Sequence, residues 1–175
     1  DVISMGGTLQ RLVDQKHDVH VAYETSGNIA VGDEDMMRYF LMMDRIAPMF
    51  GFETESYKKL SADLHEFVAN KTPGEIDTKD IREIKTMIRQ AEATIACTYI
   101  GVKRDHIHFL RLPFYETGTI KKGDLGERDV NIVKNLIESV KPHQIFVAGD
   151  LADPHGTHRV CTDAVLAAID ELKGE

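Results

Sequence analysis

The sequence is poor in cysteine, in basic charge and in long apolar runs, and each shortage argues against a class of protein. Its 175 residues include two cysteines, Cys97 and Cys161, both in apolar-periodic stretches where a free thiol behaves as a small buried hydrophobe. A disulfide-bonded secreted scaffold is therefore disfavoured, and a reduced, cytoplasmic setting fits best.

Acidic residues outnumber basic ones, 29 against 21, which gives a formal net charge of −8. Binding to a phosphate backbone needs clustered Lys and Arg, so DNA, RNA and an anionic membrane are poor partners for this chain. No apolar run approaches the roughly 18 residues that span a bilayer, and no basic-then-apolar signal pattern opens the sequence. We expect neither a nucleic-acid nor a membrane partner, whereas a homo-oligomer stays open.

Length and hydrophobic content predict one domain over residues 1–175. A chain of this length with 42% hydrophobic residues can bury one full core. The opening stretch, Asp1-Val-Ile-Ser-Met-Gly-Gly-Thr8, consists of apolar residues and glycines without a polar lead-in. We therefore expect a domain whose first strand and turn are truncated.

Hydrophobic periodicity predicts helices that alternate with short apolar strands. The predicted helices cover residues 8–14 (with a start before Met5 left open), 33–49, 78–100, 129–140 and 158–172, and the predicted strands cover 19–23, 106–112 and 144–148. Thr78 is the expected N-cap of the third helix and Gly101 its stop. Residues 53–77, with weak periodicity and a Thr72-Pro-Gly turn signal, are predicted to be a mixed loop and helix insertion. This alternation predicts parallel strands with helical crossovers in a three-layer, Rossmann-like α/β fold.

Two histidines, His155 and His158, lie in the loop that follows the last predicted strand. In parallel α/β folds ligands gather beyond the carboxyl ends of the strands. The spacing lets one imidazole bind a metal while the other faces the same cavity as an acid, base or oxyanion partner. Asp150 and Asp153 lie near enough in sequence to orient an imidazole. Histidines on a surface loop can also be solvated or cap the next helix, and spacing alone leaves roughly even odds.

Two further polar loops follow predicted strands and are candidates for substrate contact. They are Glu24-Thr-Ser-Gly-Asn28 and Tyr115-Glu-Thr-Gly118. An ordinary Ser/Thr/Gly turn is favoured for each loop by roughly two to one unless something ties the two loops together. The remaining histidines have no comparable partner in the sequence, and we expect them to be surface or packing residues: His17, His20, His65, His106, His108 and His143.

Three segments together resemble the PIG-L/LmbE-like family of zinc-dependent de-N-acetylases. The opening Asp1 to Thr8 looks like the continuation of the family's zinc motif, His-Pro-Asp-Asp-Glu, with Asp1 at its last acidic residue. Residues 89–102 are similar to the family's Arg-x-x-Glu-Ala/Leu helix that runs into Leu-Gly-Val. His155-Gly-Thr-His158 matches the second motif, usually His-x-Asp-His. The resemblance covers essentially the whole chain and implies an LmbE-like fold.

The closest resemblance is to the carboxyl-terminal de-N-acetylase-like domain that some bacterial proteins carry behind a glucosamine-6-phosphate deaminase (isomerase) domain. Residues 25–31, 110–118 and 147–155 are similar to that subgroup. The resemblance implies a longer parent protein with an upstream deaminase or isomerase domain.

Carried over position by position, the resemblance implies that His158 is a zinc ligand. It implies that His155 stabilises or protonates the tetrahedral intermediate. The family's other zinc ligands and its general base precede Asp1, so the fragment by itself is expected to be inactive.

The resemblance also implies substrate contacts and reveals departures from the family pattern. Arg89 matches an arginine that contacts substrate, Glu116 stands at an acidic position of a relative's Asp-Ser-Gly loop, and Asn28 is the third expected contact. Asp153 replaces a frequent Tyr, Thr157 replaces the usual Asp of the second motif, and Asp1 and Asp153 are further candidates for the site.

The implied reaction is zinc-dependent hydrolysis of the amide of an N-acetylglucosamine derivative, such as its 6-phosphate, in amino-sugar metabolism. Zinc with an open position lowers the pKa of its bound water, an Asp takes the proton, and His155 helps stabilise the oxyanion. The alternative is a non-catalytic sugar-phosphate-binding or assembly domain. A nucleotide-binding domain ranks last because no Gly-rich phosphate loop is present.

Overall fold

The computed structural model of the protein describes residues 2–148 and 156–174, with side chains from residue 5 onward. Four candidate site residues from the sequence, Asp1, Asp150, Asp153 and His155, lie outside these described residues. The chain divides into two compact units, residues 1–26 with 90–175 and residues 27–89. We describe each unit by itself.

The described residues are mostly helical, with one small parallel sheet. The helices are α1 (Val2–Asp14), α2 (Asp33–Phe50), α3 (Glu55–Asn70), α4 (Lys79–Tyr99), α5 (Glu127–Val140) and α6 (Thr157–Gly174), and the strands are β1 (Val21–Tyr23) and β2 (Ile107–Phe109). Five predicted helices are confirmed with small shifts at their ends, and the 53–77 insertion contains α3. Of the described helices, not one is both long and apolar enough to cross a bilayer.

In the first unit, β1 and β2 pair in parallel, with Val21 opposite Ile107 and Tyr23 opposite Phe109. Leu110 N–H donates to the Tyr23 carbonyl at 2.9 Å, which continues the ladder past the end of β2. Both strands are shorter than predicted. The mixed α/β character and the parallel pairing are confirmed, and the three-layer Rossmann-like arrangement stays a prediction.

The predicted strand over residues 144–148 is wrong for the structure described, because that segment has no strand conformation. Its apolar residues Ile145, Phe146 and Val147 are 38–47% exposed. A strand exists only when a neighbour pairs with its backbone, and no described strand does so here. The apolar pattern of residues 144–148 is typical of a buried strand, but no strand among the described residues pairs with this segment.

The carboxyl terminus of α4 is fixed by a glycine, as the sequence predicted. Gly101 has φ 91°, a left-handed conformation that L side chains rarely adopt. A Cβ on Gly101 would lie 2.8 Å from Cγ1 of Val13 on α1. At the other end, Ile81 N–H donates to Thr78 Oγ1 at 3.3 Å, which confirms Thr78 as the N-cap.

Asp129 anchors the loop after β2 to the start of α5 in the first unit. It is 3% exposed, and its carboxylate accepts hydrogen bonds from the backbone N–H of Phe114 at 2.9 Å and of Gly126 at 3.0 Å. Because Glu116 lies two residues beyond Phe114, Asp129 holds in place the loop that carries a predicted substrate contact.

We expect Asp129→Ala to lower the free energy of unfolding by about 1–3 kcal/mol, since the buried N–H of Phe114 would lose its acceptor. Urea unfolding followed by circular dichroism measures the change. Asp124→Ala, at an exposed position of the same loop, should change the stability by less than about 0.5 kcal/mol. Equal effects of the two substitutions would show that Asp129 does not anchor the loop.

The second unit packs α2 and α3 with the first turns of α4. Its core consists of Val31, Met36, Phe40, Leu64 and Ile81. Beside this core, Lys71 and Lys85 each bridge Asp33 and Asp77, with all four N–O distances between 2.6 and 2.8 Å. The side chain of Lys85 is only 4% exposed, and the two carboxylates offset the cost of burying its amino group.

Candidate functional site

The two polar loops that the sequence left separate are tied together at the carboxyl end of the sheet. Leu112 N–H donates to the backbone carbonyl of Glu24 at 2.8 Å, so the segment after β1 runs beside the segment after β2. Parallel α/β proteins place their ligands at this edge. The first unit therefore has a candidate site built from residues 24–26, the loop around Glu116 and the start of α6.

Glu24 is the most perturbed acid at this edge. Burial raises the pKa of Glu24 to about 7, although the hydrogen bond of its side chain with Cys161 favours the carboxylate. The Oε1 atom of Glu24 is buried and has no hydrogen-bond partner among the described residues. Cys161 lies on α6 three residues after His158, so Glu24 adjoins the first turns of that helix. A carboxyl group with a pKa near 7 can take or release a proton at neutral pH.

Ser26 adds a second buried polar group two residues beyond Glu24. It is 4% exposed, and its Oγ has no hydrogen-bond partner among residues 5–148 and 156–174. Buried polar atoms nearly always have a partner in a folded protein, and exceptions need an explanation such as an ordered water or ion. Glu24 Oε1 and Ser26 Oγ are therefore two buried polar atoms at this edge that can each form a further hydrogen bond.

Glu116 lies in a cationic and strained part of the same edge. Arg111 donates from Nη2 to Glu116 Oε2 at 3.2 Å, and Arg111 itself has φ 51°, a left-handed conformation that costs a non-glycine residue about 1 kcal/mol or more. Lys122 Nζ lies 3.9 Å from the centroid of the buried Tyr115 ring. Burial lowers the pKa of Lys122 while Glu116 opposes that shift. Two cations therefore adjoin the predicted substrate contact Glu116.

His158 is the second residue of α6, and its side chain is exposed. Zinc prefers imidazole nitrogen and carboxylate oxygen among such donors, and His158 lies on the helix whose Cys161 is hydrogen-bonded to the Glu24 side chain. This donor chemistry fits a zinc ion. Within the part of the chain that the structure describes, however, no three metal-ligating groups converge at this edge. The roles predicted for His155 and His158 stay predictions.

The other two predicted substrate contacts belong to the second unit. Gly27 has φ 68°, and a Cβ there would lie 3.2 Å from Cγ of Arg89, so the Arg89 stem packs against the turn that carries Asn28. Asn28 is 2% exposed, and its Oδ1 has no hydrogen-bond partner among the described residues. Arg89 and the Asn28 turn are thus brought together in the second unit, whereas Glu116 and His158 belong to the first unit.

The sequence analysis missed a histidine cluster at the opposite, amino-terminal end of the strands. His20 and His106 are stacked, and with Asp18 they form the one group of three metal-ligating side chains found in the described residues. His108 is hydrogen-bonded to His20. The sequence analysis, which expected these three histidines to be surface or packing residues, did not anticipate that they lie together. The signal was present as Asp18-Val-His20 and His106-Ile-His108, two pairs of metal-ligating residue types with i, i+2 spacing, each at the start of a predicted strand.

Glu24→Gln is expected to show that the raised Glu24 pKa reflects burial in the folded state. A carboxyl group whose folded pKa exceeds its usual 4.5 contributes stability that is present below pH 4.5 and lost as the pH rises through about 7. At about 1.36 kcal/mol per pH unit, the free energy of unfolding of the variant, relative to that of the wild type, should rise by up to about 3 kcal/mol between pH 4.5 and pH 8. Urea unfolding across this range measures the difference.

The matched control is Glu138→Gln, at an exposed position of α5 in the same unit. Its stability relative to the wild type should stay nearly constant over the same pH range. A difference between Glu24→Gln and wild type that does not depend on pH would contradict the burial of an acid at this edge.

Comparison with known proteins agrees with the resemblance drawn from the motifs. The PIG-L family, described as GlcNAc-PI de-N-acetylase, matches residues 1–169. A putative glucosamine-6-phosphate deaminase-like protein of Bacteroides thetaiotaomicron is 56% identical over 176 aligned residues, which cover the whole of this chain and 26% of that protein. The chain thus spans about a quarter of the length of this relative. No solved structure matches this chain significantly. This chain belongs to the PIG-L family of de-N-acetylases.

Proposed function

We propose that the chain is part of a cytoplasmic enzyme that hydrolyses the N-acetyl group of an N-acetylglucosamine derivative with the help of zinc. Membership of the de-N-acetylase family over residues 1–169 carries this proposal. The candidate site at the carboxyl edge of the sheet supports it, because a buried acid with a raised pKa occurs there beside buried polar atoms that have no hydrogen-bond partner among the described residues.

His158 would hold the zinc ion through an imidazole nitrogen, with further ligands from outside the described residues. When bound, zinc polarises the amide carbonyl and makes water acidic enough to supply a nucleophile at neutral pH. His155 is proposed to donate to the acetyl oxygen as charge develops on it. Asp1 and Asp153 remain candidates to orient these groups.

Glu24 is proposed to hold a proton near the reaction. Its pKa near 7 places it close to equal amounts of acid and carboxylate at neutral pH. The proton would be given from Glu24 Oε1, the oxygen that has no partner among the described residues. Ser26 Oγ adds a hydroxyl two residues away that can accept or donate a hydrogen bond.

We propose N-acetylglucosamine 6-phosphate as the substrate. Arg89, Asn28 and Glu116 are the proposed sugar contacts, and Arg111 with Lys122 adds positive charge near Glu116 that suits a phosphate group. Deacetylation would yield glucosamine 6-phosphate. The name of the Bacteroides relative refers to a deaminase-like protein of that compound, which supports a role in amino-sugar metabolism.

The test is an assay of the protein at the length that its gene encodes, with zinc and N-acetylglucosamine 6-phosphate supplied. We expect acetate to accumulate with time and with enzyme concentration. Acetate release no greater than that of the His158→Ala variant would contradict the proposal. Binding of the sugar phosphate without release, measured by calorimetry, would favour the non-catalytic alternative.

A further inference from the structure

The amino-terminal end of the sheet carries a group of side chains that the proposed hydrolysis does not use. The parallel register places Val21 opposite Ile107, so the residues just before them, His20 and His106, lie side by side. His108 lies on β2, and its ring is hydrogen-bonded to that of His20. The strand register therefore assembles three imidazoles from two distant parts of the sequence.

The imidazoles are held in place. The rings of His20 and His106 stack with centroids 3.9 Å apart and planes 9° apart. His20 Nδ1 lies 3.0 Å from His108 Nε2, and this hydrogen bond orients the His20 ring with its Nε2 toward Asp18. Metal-ligating histidines are usually oriented through their second nitrogen, as His20 is by His108. Because a metal ion lies in the plane of each imidazole that binds it, the rings of His20 and His106 must turn out of their stack to bind one ion together.

Asp18 completes the group. Its carboxylate oxygens lie 3.6 Å from His20 Nε2 and 3.5 Å from His106 Nδ1. These separations are long for hydrogen bonds but match the spacing of about 3.4 Å between ligand atoms that surround one tetrahedral zinc ion at 2.0–2.1 Å. One ligand atom from each of the three residues lies within 4.8 Å of the others.

We propose that Asp18, His20 and His106 form a binding site for a divalent transition-metal ion of the zinc type at the amino-terminal end of the strands. Two imidazoles and one carboxylate are ligands that such ions prefer over calcium or magnesium. His106 Nδ1 donates a hydrogen bond to the Val19 carbonyl at 3.2 Å, and this bond must break for Nδ1 to bind the ion; a water molecule would complete the coordination. An ion bound here links β1 to β2 and stabilises their pairing.

Access and charge are compatible with this site. The group borders an open cleft of about 270 Å³ that is also lined by His17 and Lys103. Lys103 Nζ lies 3.0 Å from Asp18 Oδ1, and it is the competitor that an incoming cation must displace. Both partners of this ion pair are more than 60% exposed, and such pairs contribute at most about 1 kcal/mol. Lys103 therefore weakens the site without blocking it.

The experiment is a calorimetric titration of Zn²⁺ into the metal-free 175-residue chain at neutral pH. We expect one Zn²⁺ per chain and an affinity that falls at least about 10-fold in His20→Ala and in His106→Ala. His108→Ala should weaken binding less, because His108 only orients His20. Lys103→Gln should bind Zn²⁺ more tightly than wild type, a result that cannot arise from misfolding.

Two matched controls separate this site from other histidines. His17→Ala, in the same cleft, and His158→Ala, at the start of α6, should bind Zn²⁺ at this site as the wild type does. The thermal unfolding midpoint of these two should rise with Zn²⁺, whereas that of His106→Ala should not. No stoichiometric binding by wild type, or binding lost in His158→Ala but kept in His20→Ala and His106→Ala, would overturn the proposal.

Discussion

Replacement of His158 by alanine is expected to lower acetate release from N-acetylglucosamine 6-phosphate by about 100-fold or more, in the gene-length protein with zinc supplied. Under the proposed function His158 is a zinc ligand, and the loss of a residue that only orients a ligand already costs about 10-fold to 100-fold. The side chain is exposed at the start of α6, so its removal leaves no cavity in the core. Initial rates of acetate release measure the effect.

His143→Ala is the matched control for this prediction. His143 is likewise an exposed histidine of the first unit, in the segment after α5, and its removal should leave the rate unchanged. Thermal unfolding of both variants should follow the wild type. A His158→Ala protein that releases acetate as fast as His143→Ala would remove His158 from the active site.

Lys85→Met is expected to lower the free energy of unfolding of the chain by about 3 kcal/mol. The substitution keeps the volume of the side chain but leaves Asp33 and Asp77 with Lys71 as their only partner in the cluster. Removal of one member of a buried ion pair costs about 3–5 kcal/mol, because a charge stays buried without compensation. The lower end applies here since the Asp33 side chain is still 30% exposed.

The direction of the Asp33 pKa supports this expectation. Burial disfavours the Asp33 carboxylate, but hydrogen bonds from Lys71 and Lys85 outweigh burial and keep its pKa below the usual 3.8. The folded state therefore stabilises the ionised cluster at neutral pH.

The control for Lys85→Met is Lys58→Ala, which removes an ion pair with Glu55 whose partners are 51% and 91% exposed. It should change stability by no more than about 0.5 kcal/mol. Urea unfolding of both variants gives the comparison. A loss for Lys85→Met no larger than that for Lys58→Ala would show that the cluster does not stabilise the second unit.

Helix positions could be predicted because their signals are local. Thr78 caps α4 through its own hydroxyl, and Gly51 ends α2 in a left-handed conformation at φ 74°. Even α3, hidden by weak periodicity, begins with a local cap in which Tyr57 N–H donates to Thr54 Oγ1. These contacts span three or four residues, so the sequence contains all that they need.

The sheet and the site could be predicted only in part, because they depend on partners far apart in the chain. Residues 144–148 have the apolar pattern of a buried strand, but pattern does not supply a pairing neighbour. The Glu24 loop was a candidate from its place after a strand, whereas the raised pKa of Glu24 arises from burial in the folded protein, and the hydrogen bond with Cys161, 137 positions away, opposes that shift. The loop could be identified from the sequence, but its most informative residue could not.

The histidine cluster shows the same limit. His20 and His106 are 86 positions apart, and only the register of β1 and β2 brings their rings together. Each histidine judged alone is an ordinary surface or packing residue. The i, i+2 spacing on two strands was visible, but its meaning required the knowledge that these two strands are neighbours.

The most direct test of the proposed hydrolysis is the product balance of the gene-length protein incubated with zinc and N-acetylglucosamine 6-phosphate. Amide hydrolysis predicts one acetate and one primary amine for each sugar consumed, with oxygen from ¹⁸O-labelled water in the acetate. Nuclear magnetic resonance and mass spectrometry quantify all three. Sugar phosphate that binds but is recovered unchanged, or is consumed without equimolar acetate and amine, would contradict the proposed function.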